Sequence, residues 1–506
     1  MPEPKLSQTH DTAKSPVNFV TVSLSVGTIC LTVFGWHSWP FCCVCLSPMM
    51  SLGRWIATEP RTVSPRTKLT RFIALVVGNG FFVAWWRSGF ITTAIPEYGL
   101  AIRCAACLVF SLHFAVIGFS VYWCRHRSLA ISAIACVTAA ICSEVFQAWL
   151  GFAWSLTNLA FGVLDTPIAQ WSSLLTPFGV AGIVYGVNFL FAVDPGSGGF
   201  RAWQGPILSM IILATAWTGG LLLKSSVKMQ TISFTAMLVQ PHLHGNAAIP
   251  WTPWVTLDEL TRRSLVDAGP VDLIVWPESS LSESFSMAQV ELGGESATRL
   301  SLQQFAHRFQ PFYGTTCLVG VGILRTETEV KYGYEVQVIR RLNCGCLVTA
   351  SDKVNCHEKS VLVPFKEREL GWMQQPEIRR WLPNELKLQS QFTAGASFRV
   401  LPFVDRDGVR RTIAVSVCYE SFFPWLPQYH TATPVDAIIH ILYDGDSIDD
   451  PSLLQRHINA CRYRAIETRK WNLVCSTWAG TSVIDPTGRI VRQLPPIAGV
   501  LRTDTF

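Results

Sequence analysis

The chain has 506 residues, 49% of them hydrophobic and only 15% charged, with 19 Trp and a formal net charge of +6. That length accommodates two or three domains, and so apolar a composition excludes a single water-soluble body. The modest positive charge, with no Lys/Arg run interleaved with aromatics, excludes a nucleic-acid face.

Residues 1–16 form a polar tail. Apolar segments follow at about 17–36, 38–57, 70–86, 100–123, 128–150, 173–193 and 205–223. Each approaches the roughly 20 residues that cross a bilayer core, so residues 17–224 are expected to form a multi-span α-helical membrane domain of about seven helices. Pro40 and Pro48 interrupt the second segment, which also fits a re-entrant hairpin. The first is too long for a removable signal peptide and lacks a small-residue cleavage site, so it reads as a signal anchor.

Basic residues orient these spans. With the N-terminus inside, the cytoplasmic pieces carry Lys5 and Lys14, then Arg54, Arg61, Arg66, Lys68 and Arg71, then Arg125 and Arg127, then Arg201. The opposite loops hold chiefly Arg87 and Arg103. An odd number of crossings from an inside start puts everything after residue 224 outside. In a Gram-negative bacterium that places the protein in the inner membrane, with its second half in the periplasm.

The 16 cysteines give no metal pattern. Cys344-Gly-Cys346 and the Cys42-Cys43-Val44-Cys45 run each lack the second half that a structural zinc site requires. No disulfide framework is indicated, and a single pair in the second half stays open.

From about residue 230 the texture changes. Strands are expected in "ISFTAMLVQ" (232–240), "VDLIVWPE" (271–278), "CLVGVGILR" (317–325), "RTIAVSVCYE" (411–420), "VDAIIHILY" (435–443) and "WNLVCSTWAG" (471–480). Residues 453–470 have helical periodicity, and "VIDPTGRIV" (483–491) reads as a hairpin. Strands alternating with helices predict a layered α/β domain over 230–506.

Three reactive residues stand where strands run out into loops: Glu278, Lys359 and Cys418. Each has an ordinary explanation taken singly. Free cysteine is usually a small buried hydrophobe, and a lysine before an apolar run usually lays its stem along it. Together they suit thiol-based acyl transfer. A carboxylate takes the thiol proton, the sulfur attacks a carbonyl, and an ammonium stabilises the oxyanion while also favouring the thiolate.

The stretches "VWPES", "KSVLVPFKE" and "VCYE" resemble the Glu-Lys-Cys signature of the nitrilase superfamily, in the version found in apolipoprotein N-acyltransferases. "SEVFQAWLGFAWSLTNLAFG" (143–162) and "FGVAGIVYGVNFL" (178–190) resemble that family's membrane half. The resemblance implies an αββα sandwich with Glu278 as general base, Lys359 as oxyanion stabiliser and Cys418 as nucleophile. It also implies supporting or substrate-binding roles for Glu367, Tyr419, Glu420 and Trp251. It implies a phospholipid acyl donor, a lipoprotein acceptor, no cofactor and a monomeric enzyme. Several residues depart from the family pattern. Lys366 replaces a usual glycine, Lys353 competes with Lys359 for the lysine role, and "YDGDSIDD" (443–450) replaces an Asn-Asp-x-Trp-Phe-Gly loop. The family pattern continues into one more transmembrane helix, where this sequence ends in "VLRTDTF". A membrane-tethered amidase and a relative of the conjugal-transfer TraB proteins are the alternative readings.

Overall fold

The computed structural model describes residues 39–51, 64–72, 77–87, 99–124, 126–150, 158–192, 201–229, 231–242, 252–280, 315–331, 334–349, 354–364, 366–369, 371–382, 387, 392–395, 399–425, 434–445 and 451–504. The chain divides into two compact units. One comprises residues 1–87, 107–140 and 182–214, the other 88–106, 141–181 and 215–506.

The helices in the first half are α1 (Pro65–Phe72), α2 (Gly78–Arg87), α3 (Gly99–Trp123), α4 (Leu129–Trp149), α5 (Ser172–Phe191) and α6 (Arg201–Ser225). Among the described residues, four stretches are long and apolar enough to cross a membrane: Ala106–Trp123, Leu129–Trp149, Pro167–Phe191 and Trp203–Ser225. These coincide with the last four expected segments. The first expected segment lies outside the described residues. The second contains only a short apolar helix, Phe41–Ser51, and the third is divided between α1 and α2. Within the first unit, buried Asn188 holds the short helix in place. Its Nδ2 donates to the Cys42 carbonyl at 2.8 Å, and its Oδ1 accepts from the Leu46 amide at 2.7 Å. An amide placed among apolar helices must satisfy its hydrogen bonds within the protein, and this one does so by pinning a turn.

Among the described residues the second unit holds twelve strands: β1 (Ala236–Gln240), β2 (Leu273–Val275), β3 (Thr316–Lys331), β4 (Tyr334–Val348), β5 (Val354–Glu358), β6 (Val400–Val404), β7 (Arg410–Val417), β8 (Ala437–Leu442), β9 (Trp471–Ser476), β10 (Ser482–Ile484), β11 (Ile490–Gln493) and β12 (Gly499–Arg502). They form two six-stranded sheets, ordered β12-β1-β2-β3-β4-β5 and β11-β10-β9-β8-β7-β6. Helix α7 (Thr252–Ala268) covers the first sheet, and α8 (Pro451–Thr468) covers the second.

Alternation along the strands explains the layers. In β1 and β2, Leu238, Leu273 and Val275 face the other sheet and pack with Ile413, Val415, Ile439 and Leu473. Their neighbours Met237, Val239 and Ile274 point the opposite way, against Leu257 of α7. Strands buried on both faces read as continuous apolar runs, which is why these were legible. The result is the αββα sandwich that the resemblance implied.

Strands β4, β5, β6 and β12 were not expected. β3 and β4 form one long hairpin, paired from Cys317↔Val348 to Lys331↔Tyr334. The outer half of β3 reads "TETEVK", with Val330 exposed, so that strand shows no apolar alternation there. Cys346 and Cys356 face each other across β4 and β5 and form a disulfide, the pair that the sequence left open.

Candidate active site

Strands β1, β2 and β3 run parallel where they pair through β2, and so do β7, β8 and β9, so their C-terminal ends collect side chains from distant parts of the sequence. Trp276 and Pro277 carry the chain from β2 to Glu278. The Trp276 amide donates to Leu318 O at 2.9 Å, and the Ser280 amide donates to Gly320 O at 3.0 Å. This crossing needs a glycine on β3. A Cβ at Gly320 would lie 2.3 Å from Pro277 O and 2.5 Å from Glu278 Cα.

Lys359 follows β5 directly and is fully buried. Its Nζ donates to Glu367 Oε1 at 2.8 Å and to Glu278 Oε1 at 3.1 Å. Burial disfavours the ammonium, but Glu278 and Glu367 outweigh it and hold its pKa well above the usual lysine value. Asn343 of β4 ties the two acids together, its Nδ2 donating to Glu278 Oε1 at 2.7 Å and to Glu367 Oε1 at 3.0 Å. The carboxylates differ in what remains open. Glu367 Oε2 accepts from the Val363 amide at 2.7 Å, whereas buried Glu278 Oε2 has no partner among the described residues.

Cys418 follows β7 and opens the 3₁₀ turn Cys418–Phe422. Its φ of 49° is left-handed, a region that a side chain with a Cβ enters only when its surroundings hold it there. Burial first, then the charge of Glu278, pushes the thiol well above its usual pKa, against the pull of Lys359. This corrects the expectation that Lys359 favours a resting thiolate. Desolvation disfavours the anion more than one ammonium, already shared between two carboxylates, can offset.

Glu420 holds the turn that Cys418 opens against the end of β5. Its Oε2 accepts from the Val417 amide at 2.8 Å and pairs with His357 Nε2 at 3.0 Å. Its Oε1 accepts from the Ser360 amide at 2.7 Å and from the Ser360 hydroxyl at 2.9 Å. Burial opposes its ionisation, yet His357 and these donors lower its pKa to about 2. Tyr419 is buried, its ring 5.3 Å from that of Phe423. Lys366 extends its Nζ over the Tyr443 ring, 5.5 Å from the centroid. Trp251 and Lys353 lie outside the described residues.

The structure therefore brings Glu278, Lys359 and Glu367 into direct contact, and the Cys418 thiol lies within reach of the charges of all three. Asn343, His357, Asp444 and His457 were not anticipated. Asn343 and His357 are polar residues in strands that the sequence did not reveal. His457 did leave a signal, because it falls on the apolar face of α8 with Leu454, Ile458 and Cys461.

Residues 238–504 match the carbon-nitrogen hydrolase family, and residues 26–190 match the apolipoprotein N-acyltransferase N-terminal domain. The apolipoprotein N-acyltransferase of Agrobacterium fabrum is 27% identical over 439 residues, covering 82% of this chain and 76% of that protein. The enzyme of the same name from Pseudomonas putida is 24% identical over 509 residues, covering 95% and 88% respectively.

Proposed function

The chain belongs to the carbon-nitrogen hydrolase family, and on that premise we propose that it is a membrane-bound apolipoprotein N-acyltransferase. It takes a fatty acyl chain from a phospholipid onto Cys418 and passes it to the N-terminal α-amine of a diacylglyceryl-cysteine lipoprotein. The relatives support this over an amidase or a conjugal-transfer protein, because they align along most of the chain, membrane half included.

The observation that carries the mechanism is the asymmetry of the two acids. Among the described residues, Glu278 presents an unpartnered buried oxygen, while both oxygens of Glu367 are engaged. Glu278 is therefore the base and Glu367 the group that holds Lys359. As Cys418 Sγ attacks the ester carbonyl of the phospholipid, its proton passes to Glu278 Oε2. The oxyanion forms beside Lys359 Nζ. Collapse breaks the ester C–O bond, and Glu278 returns the proton to the departing lysophospholipid alkoxide. The acceptor amine then attacks the thioester, Glu278 takes its proton, the C–S bond breaks to leave the amide, and Glu278 returns the proton to the Cys418 sulfur. A thiol held neutral at rest suits this scheme, because its ionisation is coupled to attack.

Residues 17–224 embed the enzyme and 230–506 carry the chemistry. The compact unit that holds the site also includes residues 141–181, the first half of α5 among them. Tyr463 Oη of α8 donates to Ala160 O at 2.5 Å and Arg469 Nη1 donates to Gln170 Oε1 at 2.6 Å, so the α/β layers are bound to the residues that lead into a membrane helix. That suits substrates that are themselves lipids. The loop charges support a periplasmic α/β domain, and the Cys346–Cys356 disulfide suits that oxidising compartment.

The test has two parts. Purified protein incubated with labelled phospholipid should form a thioester at Cys418, seen by mass spectrometry and lost in Cys418→Ala. The gene should also rescue a strain depleted of its own acyltransferase. Absence of a thioester, or a thioester that persists without Cys418, would overturn the assignment.

A further inference from the structure

One buried group beside the nucleophile has no part in the mechanism above. His457 lies on α8, and both its ring nitrogens are engaged. Nε2 donates to the Cys418 carbonyl oxygen at 2.9 Å, and Nδ1 donates to Asp444 Oδ1 at 3.1 Å. Its ring stacks on Phe422, with centroids 4.9 Å apart and planes 22° apart. A carbonyl oxygen and a carboxylate oxygen are both acceptors, so each nitrogen must carry a proton and the ring is an imidazolium. The Asp444 carboxylate is itself fixed, with Oδ2 accepting from Ser476 Oγ at 2.9 Å and its backbone amide donating to Thr477 Oγ1 at 3.1 Å.

We propose that His457 is a positioning residue for the nucleophile. Held as a cation by Asp444, it clamps the Cys418 carbonyl and keeps the left-handed turn that presents the thiol. The left-handed φ at Cys418 needs such support, since the residue is neither glycine nor asparagine. Glu420 fixes the Ser416–Val417 peptide by accepting from the Val417 amide, and His457 fixes the Cys418–Tyr419 peptide. The charge of His457 also cancels that of Asp444, which otherwise opposes ionisation of the thiol. The inference rests on Cys418 being the nucleophile.

Burial opposes the charged ring, but Asp444 and the bond to the Cys418 carbonyl outweigh it and raise its pKa above the usual histidine value. The groups facing the ring are Asp444 beyond β8, Glu278 beyond β2 and Cys418 itself, with the buried neutral thiol of Cys461 one turn along α8. The clamp is complete below the ordinary histidine pKa and is lost as pH rises through the raised one.

The experiment measures acylation of Cys418 from phospholipid, and in parallel its alkylation by iodoacetamide, across pH in the full-length protein. His457→Gln leaves an amide that can bond the carbonyl but turns its oxygen toward Asp444. It should lower acylation by about a hundredfold, the scale of a reacting group misplaced by an ångström, with KM for phospholipid unchanged. Asp444→Asn combined with His457→Gln rebuilds the same chain of hydrogen bonds without charge. The pair should recover most of the rate and lack the alkaline fall that the wild type owes to His457. Thermal unfolding separates misfolding from misplacement, because the pair must unfold at the wild-type temperature. A wild-type rate and pH profile in His457→Gln, or a pair no better than the single variant, would overturn the proposal. If the wild type forms no acyl-enzyme, the assigned function fails instead, and the alkylation series decides the clamp by the same comparisons.

Discussion

Replacing Lys359 by Met keeps the stem and removes the charge at the centre of the site. Its Nζ lies 2.8 Å from Glu367 Oε1 and 3.1 Å from Glu278 Oε1, with all three groups buried. At an effective dielectric of about 20, unit charges about 3 Å apart attract by roughly 5–6 kcal/mol. Most of that gain offsets the cost of removing three charges from water, so the net value of the cluster is small. Losing the cation alone is different, because two buried carboxylates are then joined only through the Asn343 amide. Such a stranded buried charge costs about 3–5 kcal/mol, unless one acid takes up a proton. Lys359→Met should therefore lower the unfolding temperature of the detergent-solubilised protein, followed by Trp fluorescence. It should also slow acylation of Cys418 by about 10²–10³-fold, as a lost oxyanion donor does. Adding Glu367→Gln removes one stranded charge and should restore most of the stability but none of the rate. A double variant no more stable than the single one would refute the buried-charge argument. A wild-type rate in Lys359→Met would remove this lysine from the chemistry.

Glu278→Gln should cut acylation by about 10²–10⁴-fold while leaving Cys418 open to alkylation, as expected for a lost general base; equal loss in Glu367→Gln would show that the two acids have been exchanged. Gly320→Ala should displace Glu278, because its Cβ meets backbone at 2.3–2.5 Å; overpacking of this kind costs about 1–3 kcal/mol, and unfolding measurements with an acylation assay should find both stability and rate reduced. Glu420 has a lowered pKa of about 2 against an ordinary 4.5, so the stability it contributes is present above pH 4.5 and lost as pH falls through about 2. That shift corresponds to about 3 kcal/mol at neutral pH, and Glu420→Gln should show a correspondingly shallower loss of stability on acidification.

Much of this protein was determined by its sequence alone. Four long apolar helices and the doubly buried strands β1, β2, β7, β8 and β9 announce themselves, because burial on every side demands unbroken apolar runs. Glu278 and Cys418 were legible because each ends such a run, and Lys359 because the motif "KSVLVPFKE" starts with it. Tertiary structure decided the rest. The outer half of β3 sets Glu327, Glu329 and Lys331 opposite Val338, Val336 and Tyr334 of β4, so the partner strand defines it and no apolar alternation of its own does. Cys346 found Cys356 only through the register of β4 and β5. The two acids look alike in sequence, and only their hydrogen bonds distinguish an open Glu278 from an occupied Glu367. Even the resting state of Cys418 reversed expectation, since a nearby lysine can be read from a motif but desolvation cannot. Spacing along a chain reports which groups are available, whereas burial and hydrogen bonding, which set their charge and direction, exist only once distant segments meet.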